Sequence, residues 1–486
     1  MVRLQQSLNP RTSDLPLSSI APASPTASAR GPLDRFLLLF AEVRDGEGGQ
    51  LLLLTLNVFL ILTAYYVMKP AREALILAQP GGAEVKSYST ALQAVLLAVA
   101  VPAYGALATR LSRRRLINAV TAFFVACLPL FYLAAEAGVH VGVTFFLWIG
   151  VFSLMVISQF WAYANDLYTP EAGKRLFAVV AFGASSGAVF GAFISGHLIG
   201  VLGVHALLLV AATILGASLA LFNLIDLRAR SAASGAVHPK AAELPIGHGN
   251  AFALVLRSGY LLLIAALFLL VNWVNTTGEY VLSSIVKQAA DADVAAGILA
   301  PGKEGAFIGA FFAHYFQVVN VIGMLLQLLV VSRLVKYVGV PVALCVLPLV
   351  AFGSYLVAAL IPSLVIVRWV KITERSVDYS LQNTVAQMLY LPTTREEKYK
   401  AKQVTDTFVV RAGDVLAAAT VFVGSSVMAL SVSKFALINV SLAVVWFLVA
   451  LVLGREFQRS TMPKEGAATD DASAPPDTPL TERTLP

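Results

Sequence analysis

The chain has 486 residues, of which 58% are hydrophobic and only 13% are charged, with a mean hydropathy of +0.77. Soluble domains carry about 25% charged residues, so this composition excludes a water-soluble globular protein. The formal net charge of +7 could indicate a nucleic-acid partner, but the basic residues lie in short loops between apolar stretches, where they set membrane orientation instead.

The two ends of the chain are polar, in contrast to its centre. Residues 1–32 are rich in Ser, Pro and Ala, lack the apolar core of a signal peptide, and are predicted to be a disordered tail. Residues 33–50 begin with LDRFLLLFAEVR, which predicts an amphipathic helix on the membrane surface and a short lead-in. Residues 456–486 are rich in Pro, Thr, Asp and Glu and are predicted to be a second disordered tail.

Between the tails lie twelve apolar stretches, each long enough to cross a bilayer, which takes about 20 residues. Six belong to a first half, 51–227, and six to a second half, 258–455, with a cytoplasmic linker at 228–257. We therefore expect an all-α polytopic membrane protein. The predicted spans are 51–77, 88–109, 116–136, 143–167, 175–200, 204–227, 258–286, 306–331, 339–361, 364–392, 403–430 and 433–455.

Lys and Arg are unevenly divided between the two sets of loops. The loops and tails on the side of the termini hold 25 of them, whereas the opposite loops hold four, namely Lys86, Lys287, Lys303 and Lys434. Because basic residues favour the cytoplasmic side, we expect a multi-pass protein with both termini in the cytoplasm. A bacterial inner membrane fits this pattern best.

The two halves repeat weakly. A Leu-Tyr-x-Pro motif ends the fourth span at 167–170 and the tenth at 389–392, an offset of 222. An Arg-Leu pair follows the second span at 110–111 and the eighth at 333–334, an offset of 223. Two related six-helix halves are typical of major-facilitator carriers, whose substrate site lies between the halves near the midplane. The pattern therefore predicts a major-facilitator-like carrier that works by alternating access.

Charged residues interrupt several spans. A charge in hydrocarbon is costly, so such residues usually face the interior of the bundle or a watery path, as in transporters. An alternative for Lys69, at the end of the first span, is that it extends to the interface. The predicted substrate-binding residues are Lys69, Arg72, Glu279, Lys371, Arg375, Arg411 and Asp414. The predicted gating or ion-pair residues are Glu73, Asp166, Glu374, Asp378 and Asp406.

The tenth span has the densest pattern of charge. Positions three or four residues apart share one helix face, and this spacing joins Arg368, Lys371, Arg375, Asp378 and Gln382. Such a stripe must face protein or water rather than lipid. Two interpretations remain open: a ladder of structural salt bridges that locks helices together, and a site for a charged solute.

Glu279, in the seventh span, also has two interpretations. A buried carboxyl group can titrate near neutral pH and couple transport to protons, or it can be a fixed partner of Arg411 or Arg72. The first interpretation predicts a proton-coupled carrier of another organic solute. A further alternative is a membrane scaffold that transports nothing, in which the ion pairs are structural locks. No catalytic motif, metal-ligand spacing or cofactor motif supports an enzyme.

The fifth span carries a stripe of small residues. Gly183, Gly187 and Gly191 recur at four-residue spacing, which lets two helix backbones approach closely. We expect these glycines to pack helices together at the seam between the halves.

Several stretches resemble the ATP/ADP antiporter family of plastids and intracellular bacteria. The fourth span ends with FWAYAN at 160–165, and EAGKRLF follows at 171–177. DYSL at 378–381 precedes Met388, Tyr390 and Pro392 in the pattern of the family's tenth helix. Similar matches are Lys69-x-x-Arg72-Glu73 and Lys400-x-Lys402 followed by Asp406 and Gly413.

The resemblance implies a monomeric carrier in the bilayer that needs no cofactor and exchanges a small anionic solute, a nucleotide or a related phosphorylated anion. Some positions differ from the family. Asp378 and Asp414 stand where the family has lysines, and Arg72 stands where it has a lysine. The family's fourth-span glutamate aligns near Ile149.

Overall fold

The computed structural model describes Arg44 and residues 47–233 and 251–461. The predicted tail at 1–32, nearly all of the amphipathic segment, most of the linker and residues 462–486 lie outside this range. Within it the chain is helical apart from short connections, with no strand.

The first half contains six helices. They are α1 (Gly48–Leu77), α2 (Gly82–Arg110), α3 (Arg113–Glu136), α4 (Gly142–Leu167) and a run, Pro170–Ala233, that comprises α5 (170–202) and α6 (204–233). The run reverses at Gly203, whose φ of +81° lies in the left-handed region that favours glycine.

The second half follows a short helix, Ala251–Arg257. Helix α7 is Gly259–Ala295, and α8 runs from Glu304–Leu326 through a π-helical segment, Gln327–Val331, to 338. A glycine turn at Gly339, with φ of +81°, leads into α9 (340–360). Helix α10 comprises Leu364–Val377, the π-helical Asp378–Gln382 and Asn383–Met388. Helix α11 comprises Arg395–Val404, the π-helical Thr405–Val409, Val410–Phe422 and Val423–Val427, and α12 is Val432–Thr461.

The prediction of an all-α membrane protein with about twelve spans is confirmed. Among the described residues nine helices are long and apolar enough to cross a membrane, and two of these nine, Arg175–Ala229 and Glu304–Leu360, each contain two spans. The remaining span is α10, whose charged residues set it apart from the other eleven. Helix ends differ from the predicted spans by a few residues, and α12 continues to Thr461, beyond the predicted boundary at 455.

Three apolar clusters hold the helices together. One consists of first-half residues together with Ala313 of α8, and a second lies within the second half. The third joins the halves, because it contains Leu77 and Phe146 together with Ile285 and Ile308. These residues lie at the ends of α1 and α7 and at the starts of α4 and α8, so the third cluster closes the end of the bundle opposite the termini.

The predicted glycine stripe contacts a helix of its own half. A Cβ placed on Gly187 would lie 2.4 Å from the carbonyl oxygen of Phe59 in α1, and Gly183 and Gly191 approach α1 in the same way. The expectation that this stripe forms the seam between the halves is therefore corrected: it packs α5 onto α1.

A different small-residue stripe, on α8, forms the seam. A Cβ on Gly309 would lie 3.3 Å from Cβ of Ala74, and one on Gly305 would lie 3.8 Å from Cβ of Ala78. One turn further along α8, Ala313 lies 3.6 Å from the position of a Cβ on Gly196 of α5. Gly305, Gly309 and Ala313 have the same four-residue spacing, so the signal for this seam was present in the sequence.

Candidate functional site

A polar segment of α7, residues 272–279, is the point where several charged side chains from the spans of the second half meet. Its sequence is NWVNTTGE, so an apolar helix carries two asparagines, two threonines and a glutamate within two turns. Side chains of α10 and α11 contact it. This segment therefore positions the charges near the middle of the bundle.

Asp414 of α11 is buried against this segment and is fully hydrogen-bonded. Its Oδ1 accepts from Asn272 Nδ2 at 2.7 Å and from Thr276 Oγ1 at 2.9 Å. Its Oδ2 accepts from Arg411 Nη1 at 2.9 Å, and the Arg411 side chain is 34% exposed. Asp414 is thus fixed on α7 and orients Arg411, whose side chain stays partly exposed.

Arg375 of α10 sits between two carboxylates. It pairs with Glu279 of α7, and its Nη1 lies 3.3 Å from Oδ2 of Asp378. Asn275 donates a hydrogen bond of 3.1 Å to the same Asp378 oxygen. The ring of Tyr379 lies 5.3 Å from the Arg375 guanidinium carbon, a cation–π distance.

Lys371, predicted to bind substrate, lies inside the second half instead. Its Nζ is 2.8 Å from Glu374 Oε1 and 2.8 Å from the Tyr355 hydroxyl, which itself donates to Glu374 at 2.9 Å. Both charged side chains are at most 5% exposed. A buried lysine needs a paired carboxylate, and the close approach of Tyr355 and Lys371 to Gly278 holds this pair against α7. The expectation of a solute-facing Lys371 is therefore corrected to a structural ion pair.

Lys86 is a member of the site that the sequence analysis missed. It was assigned to a loop, but it lies one turn inside α2, where its side chain is 6% exposed. Its Nζ lies 2.7 Å from Glu73 Oε2, 3.8 Å from Glu279 Oε2 and 3.1 Å from Ser283 Oγ. Lys86 thus links α1 of the first half to α7 of the second.

Arg72 also belongs to this cluster through Glu73. Its guanidinium pairs with the neighbouring Glu73 carboxylate and stacks at 4.8 Å from the ring of Phe146. Glu73 is 1% exposed, so both of its cationic partners neutralise a deeply buried charge.

Lys69 is different from the other cations. Its side chain is buried, and among the described residues it forms neither an ion pair nor a hydrogen bond. Instead, aromatic rings of both halves surround its Nζ, which lies 4.3 Å from the ring centre of Phe316 and 4.8 Å from that of Tyr66. Tyr65 and Tyr379 follow at 5.6 and 5.9 Å. Cation–π contacts compensate only part of the hydration that a buried ammonium loses.

In the group of charged side chains around Lys69 and the polar segment of α7, cations outnumber carboxylates by one. The cations are Lys69, Arg72, Lys86, Arg375 and Arg411, and the carboxylates are Glu73, Glu279, Asp378 and Asp414. Each of these carboxylates contacts at least one of the other four cations, so among these five cations Lys69 is the one that contacts no described carboxylate. The aromatic rings could have been suspected, since Tyr65 and Tyr66 lie four and three residues before Lys69 on the same helix face.

Two predicted ion-pair residues lie elsewhere. Asp166, at the end of α4, pairs with Arg113 at the end of the bundle that carries the termini. Asp406, in the π-helical part of α11, is exposed and has no ion pair with any side chain that the structure describes. No group of three or more His, Cys, Asp and Glu residues in the described ranges could hold a metal ion.

Polar contacts join the halves near the end opposite the termini. The Tyr280 hydroxyl donates to Glu84 Oε1 at 2.8 Å, and the Tyr88 hydroxyl lies 3.5 Å from Ser425 Oγ. Together with Lys86 and the α8 stripe, these contacts close the bundle on that side. Tyr379 is exposed and lies in the part of α10 that is nearer the end of the bundle that carries the termini.

The chain is similar to known membrane carriers. The family model described as Major Facilitator Superfamily matches residues 54–382. Among solved structures, a bacterial homologue of the human lysosomal transporter Spinster, inward-facing and unoccupied, superimposes with a TM-score of 0.59 at 13% identity, over 86% of this chain and 98% of that one. The nucleoside transporter NupG gives a TM-score of 0.56 at 12% identity, over 85% and 100%.

Other solved structures share the fold as well. A bacterial homologue of the iron transporter ferroportin, in an inward-facing state, has a TM-score of 0.56 at 15% identity, over 85% of this chain and 98% of that one. At these identities the similarity shows the fold alone. No curated protein sequence matches the chain.

Proposed function

The chain belongs to the Major Facilitator Superfamily and is a secondary membrane transporter, and we propose that its substrate is a nucleotide or a related phosphorylated anion. The observation that carries this proposal is the unmatched charge of Lys69. An anion that enters between the halves meets a buried ammonium that lacks a carboxylate partner among the described residues, so binding compensates the cost of burying it.

The rings around Lys69 favour a solute that has a flat aromatic part. A nucleobase stacks on aromatic side chains, and each such contact is worth about 1–3 kcal/mol in nucleic-acid complexes. Tyr379 is 36% exposed and lies between Lys69 and Arg375, so it offers a ring face beside two cations. In the proposed complex the base stacks on Tyr379, and the phosphates lie on Lys69 and draw Arg375 and Arg411 from their carboxylates.

The remaining ion pairs provide the switching partners. When phosphate takes up Arg375, its partners Glu279 and Asp378 are released, and Lys86 lies close enough to Glu279 to re-pair with it. Binding would thus exchange one set of ion pairs for another, which lets a solute bias the two conformations of a carrier. The resemblance of several stretches to the ATP/ADP antiporter family supports the same substrate class.

We place the carrier in a bacterial inner membrane with both termini in the cytoplasm. The support is the excess of Lys and Arg in the loops at the end of the termini. The closed end then faces outward, so the described conformation would be open to the cytoplasm. The monomeric state stays a prediction from the sequence.

Uptake of labelled ATP into proteoliposomes of the purified protein tests the proposal. One set of vesicles is loaded with ADP, a second is empty, and a third carries a pH gradient. We expect uptake into ADP-loaded vesicles, competition by unlabelled AMP, and weaker competition by inorganic phosphate, because phosphate lacks the base that stacks on Tyr379.

Other outcomes would favour the alternatives. Uptake of another solute that depends on the pH gradient and is lost in Glu279→Gln would identify a proton-coupled carrier. Glu279 could bind the proton in that case, because its side chain is 37% exposed and water can reach it. Folded protein that transports no phosphorylated anion from a broad panel would contradict the proposed substrate class. Full activity of a charge-swapped Arg411→Asp, Asp414→Arg protein would indicate purely structural ion pairs.

A further inference from the structure

Arg368 departs from the charged stripe of α10. It lies one turn after α10 begins, and its guanidinium donates to Nδ1 of His314 on α8, an exposed residue. No described carboxylate pairs with Arg368. The pair therefore places a cation on the outer surface of the helix bundle, on the second half and away from Lys69.

A groove adjoins this cation. It has a volume of about 310 Å³ between α8 and α10 and is lined by Phe307, Ala310, Phe311, Leu364, Val365 and by Arg368 and Trp369. Val365 is 67% exposed and Trp369 is 53% exposed, so the groove opens to the surroundings of the bundle, which in a membrane is lipid. Apart from Arg368 and the indole, its walls are apolar.

A cation in this position calls for an anionic partner. Facing lipid without a carboxylate costs a few kcal/mol, and a histidine that accepts a hydrogen bond supplies no negative charge. In addition, the Arg368 Nε is buried and lacks a hydrogen-bond partner among the described residues. The guanidinium therefore has an N–H that no described acceptor satisfies, in addition to a positive charge that no described carboxylate balances.

The depth of Arg368 indicates which molecule can supply the anion. At 1.5 Å of rise per residue, four residues place its backbone about 6 Å below the start of α10, near the level of lipid headgroups. Trp369 is the type of residue that lies at this interface. A phospholipid carries a phosphate at this depth and an acyl chain below it, which matches a guanidinium beside an apolar groove.

We propose that Arg368 and the groove bind one anionic phospholipid of the leaflet opposite the termini. The phosphate accepts from the Arg368 guanidinium, and an acyl chain lies along Phe311 and Val365. A free phosphate ion would leave the apolar walls uncovered, and a nucleotide bound between the halves does not reach this face. The site is thus separate from the transport site.

Purified, delipidated protein tests this proposal by native mass spectrometry and by thermal unfolding. The protein is mixed with phosphatidylglycerol or with diacylglycerol that has the same acyl chains and lacks the phosphate. We expect one phosphatidylglycerol to bind about tenfold more tightly than diacylglycerol and to raise the Tm, as one charge-assisted contact would predict. Arg368→Gln should lose this preference, and Arg368→Lys should keep part of it.

Arg333→Gln is the matched control. Arg333 is an exposed arginine at the other end of α8, and its guanidinium donates to the carbonyl of Leu329 in its own helix. The Arg333→Gln variant should bind phosphatidylglycerol as tightly as the unchanged protein does. Equal binding of the two lipids by the unchanged protein would overturn the proposal without any variant. The proposal would also be overturned if Arg368→Gln kept the same lipid preference, or if the unchanged protein were a dimer that the Arg368→Gln substitution dissociates.

Discussion

At the scale of single residues, the sequence located most of the charges that matter but not their partners. It placed Lys69, Glu73, Glu279, Arg375 and Asp414 inside spans. The structure links the last four of these to α7, directly or through Lys86, and surrounds Lys69 with aromatic rings. Pairing depends on which faces of different helices meet, and a single sequence does not contain that information. For this reason the sequence could not distinguish the buried ion pair of α10 from the unmatched lysine of α1.

The buried pair of Lys371 and Glu374 provides a prediction on stability. Lys371→Met leaves an unpaired carboxylate in the core, so we expect it to lower the free energy of unfolding by about 3–5 kcal/mol. The double variant Lys371→Met, Glu374→Gln should recover most of this loss and should still transport. Thermal unfolding in detergent and uptake in proteoliposomes measure the two effects. If Lys371→Met were stable but did not transport, the result would instead indicate that Lys371 binds the substrate.

At the scale of helices, small-residue spacing predicted close packing but not the partner helix. Gly183, Gly187 and Gly191 pack α5 onto α1, whereas the seam between the halves uses Gly305 and Gly309 of α8. Both stripes have the same spacing, so only the arrangement of helices separates them. Lys86 was assigned to a loop for a related reason: α2 begins at Gly82, six residues before the predicted span at 88.

The packing of α5 on α1 leads to a second prediction. Gly187→Ala would bring a methyl group to 2.4 Å from the Phe59 carbonyl, so the helices must separate. We expect a loss of stability of about 1–3 kcal/mol, as for other overpacked cores. Gly216→Ala, in α6, is the control, since a Cβ there meets no atom within 4 Å and alanine favours a helix. Similar unfolding temperatures for the two variants would contradict this packing.

At the scale of the whole molecule, composition and repeated loop motifs predicted twelve spans in two halves, and the count is confirmed. They could not predict which end of the bundle is closed, because both conformations of a carrier share one sequence. The structure closes the end opposite the termini through the α8 seam, Lys86 and the Tyr280–Glu84 hydrogen bond. Transport requires this end to open.

A disulfide across the closed end tests that requirement. In Ala78→Cys, Gly305→Cys the two Cβ atoms would lie 3.8 Å apart, within the range of about 3.5–4.5 Å found in disulfides. Cys127 and Cys345 are first replaced by alanine. Oxidation should reduce uptake to background, and reduction should restore it. Undiminished uptake by fully cross-linked protein would show that the halves do not separate at this end.

The most direct measurement compares ATP uptake by Lys69→Gln with uptake by the unchanged protein. A lost charge-assisted contact is worth about 2 kcal/mol, which corresponds to a loss of affinity of about thirtyfold. Lys287→Gln is the control, because Lys287 pairs with Asp291 within α7 at 2.5 Å, away from the aromatic rings. We predict that Lys69→Gln folds but takes up ATP weakly, while Lys287→Gln transports normally. Normal uptake by Lys69→Gln would contradict the role of Lys69 in binding the anion.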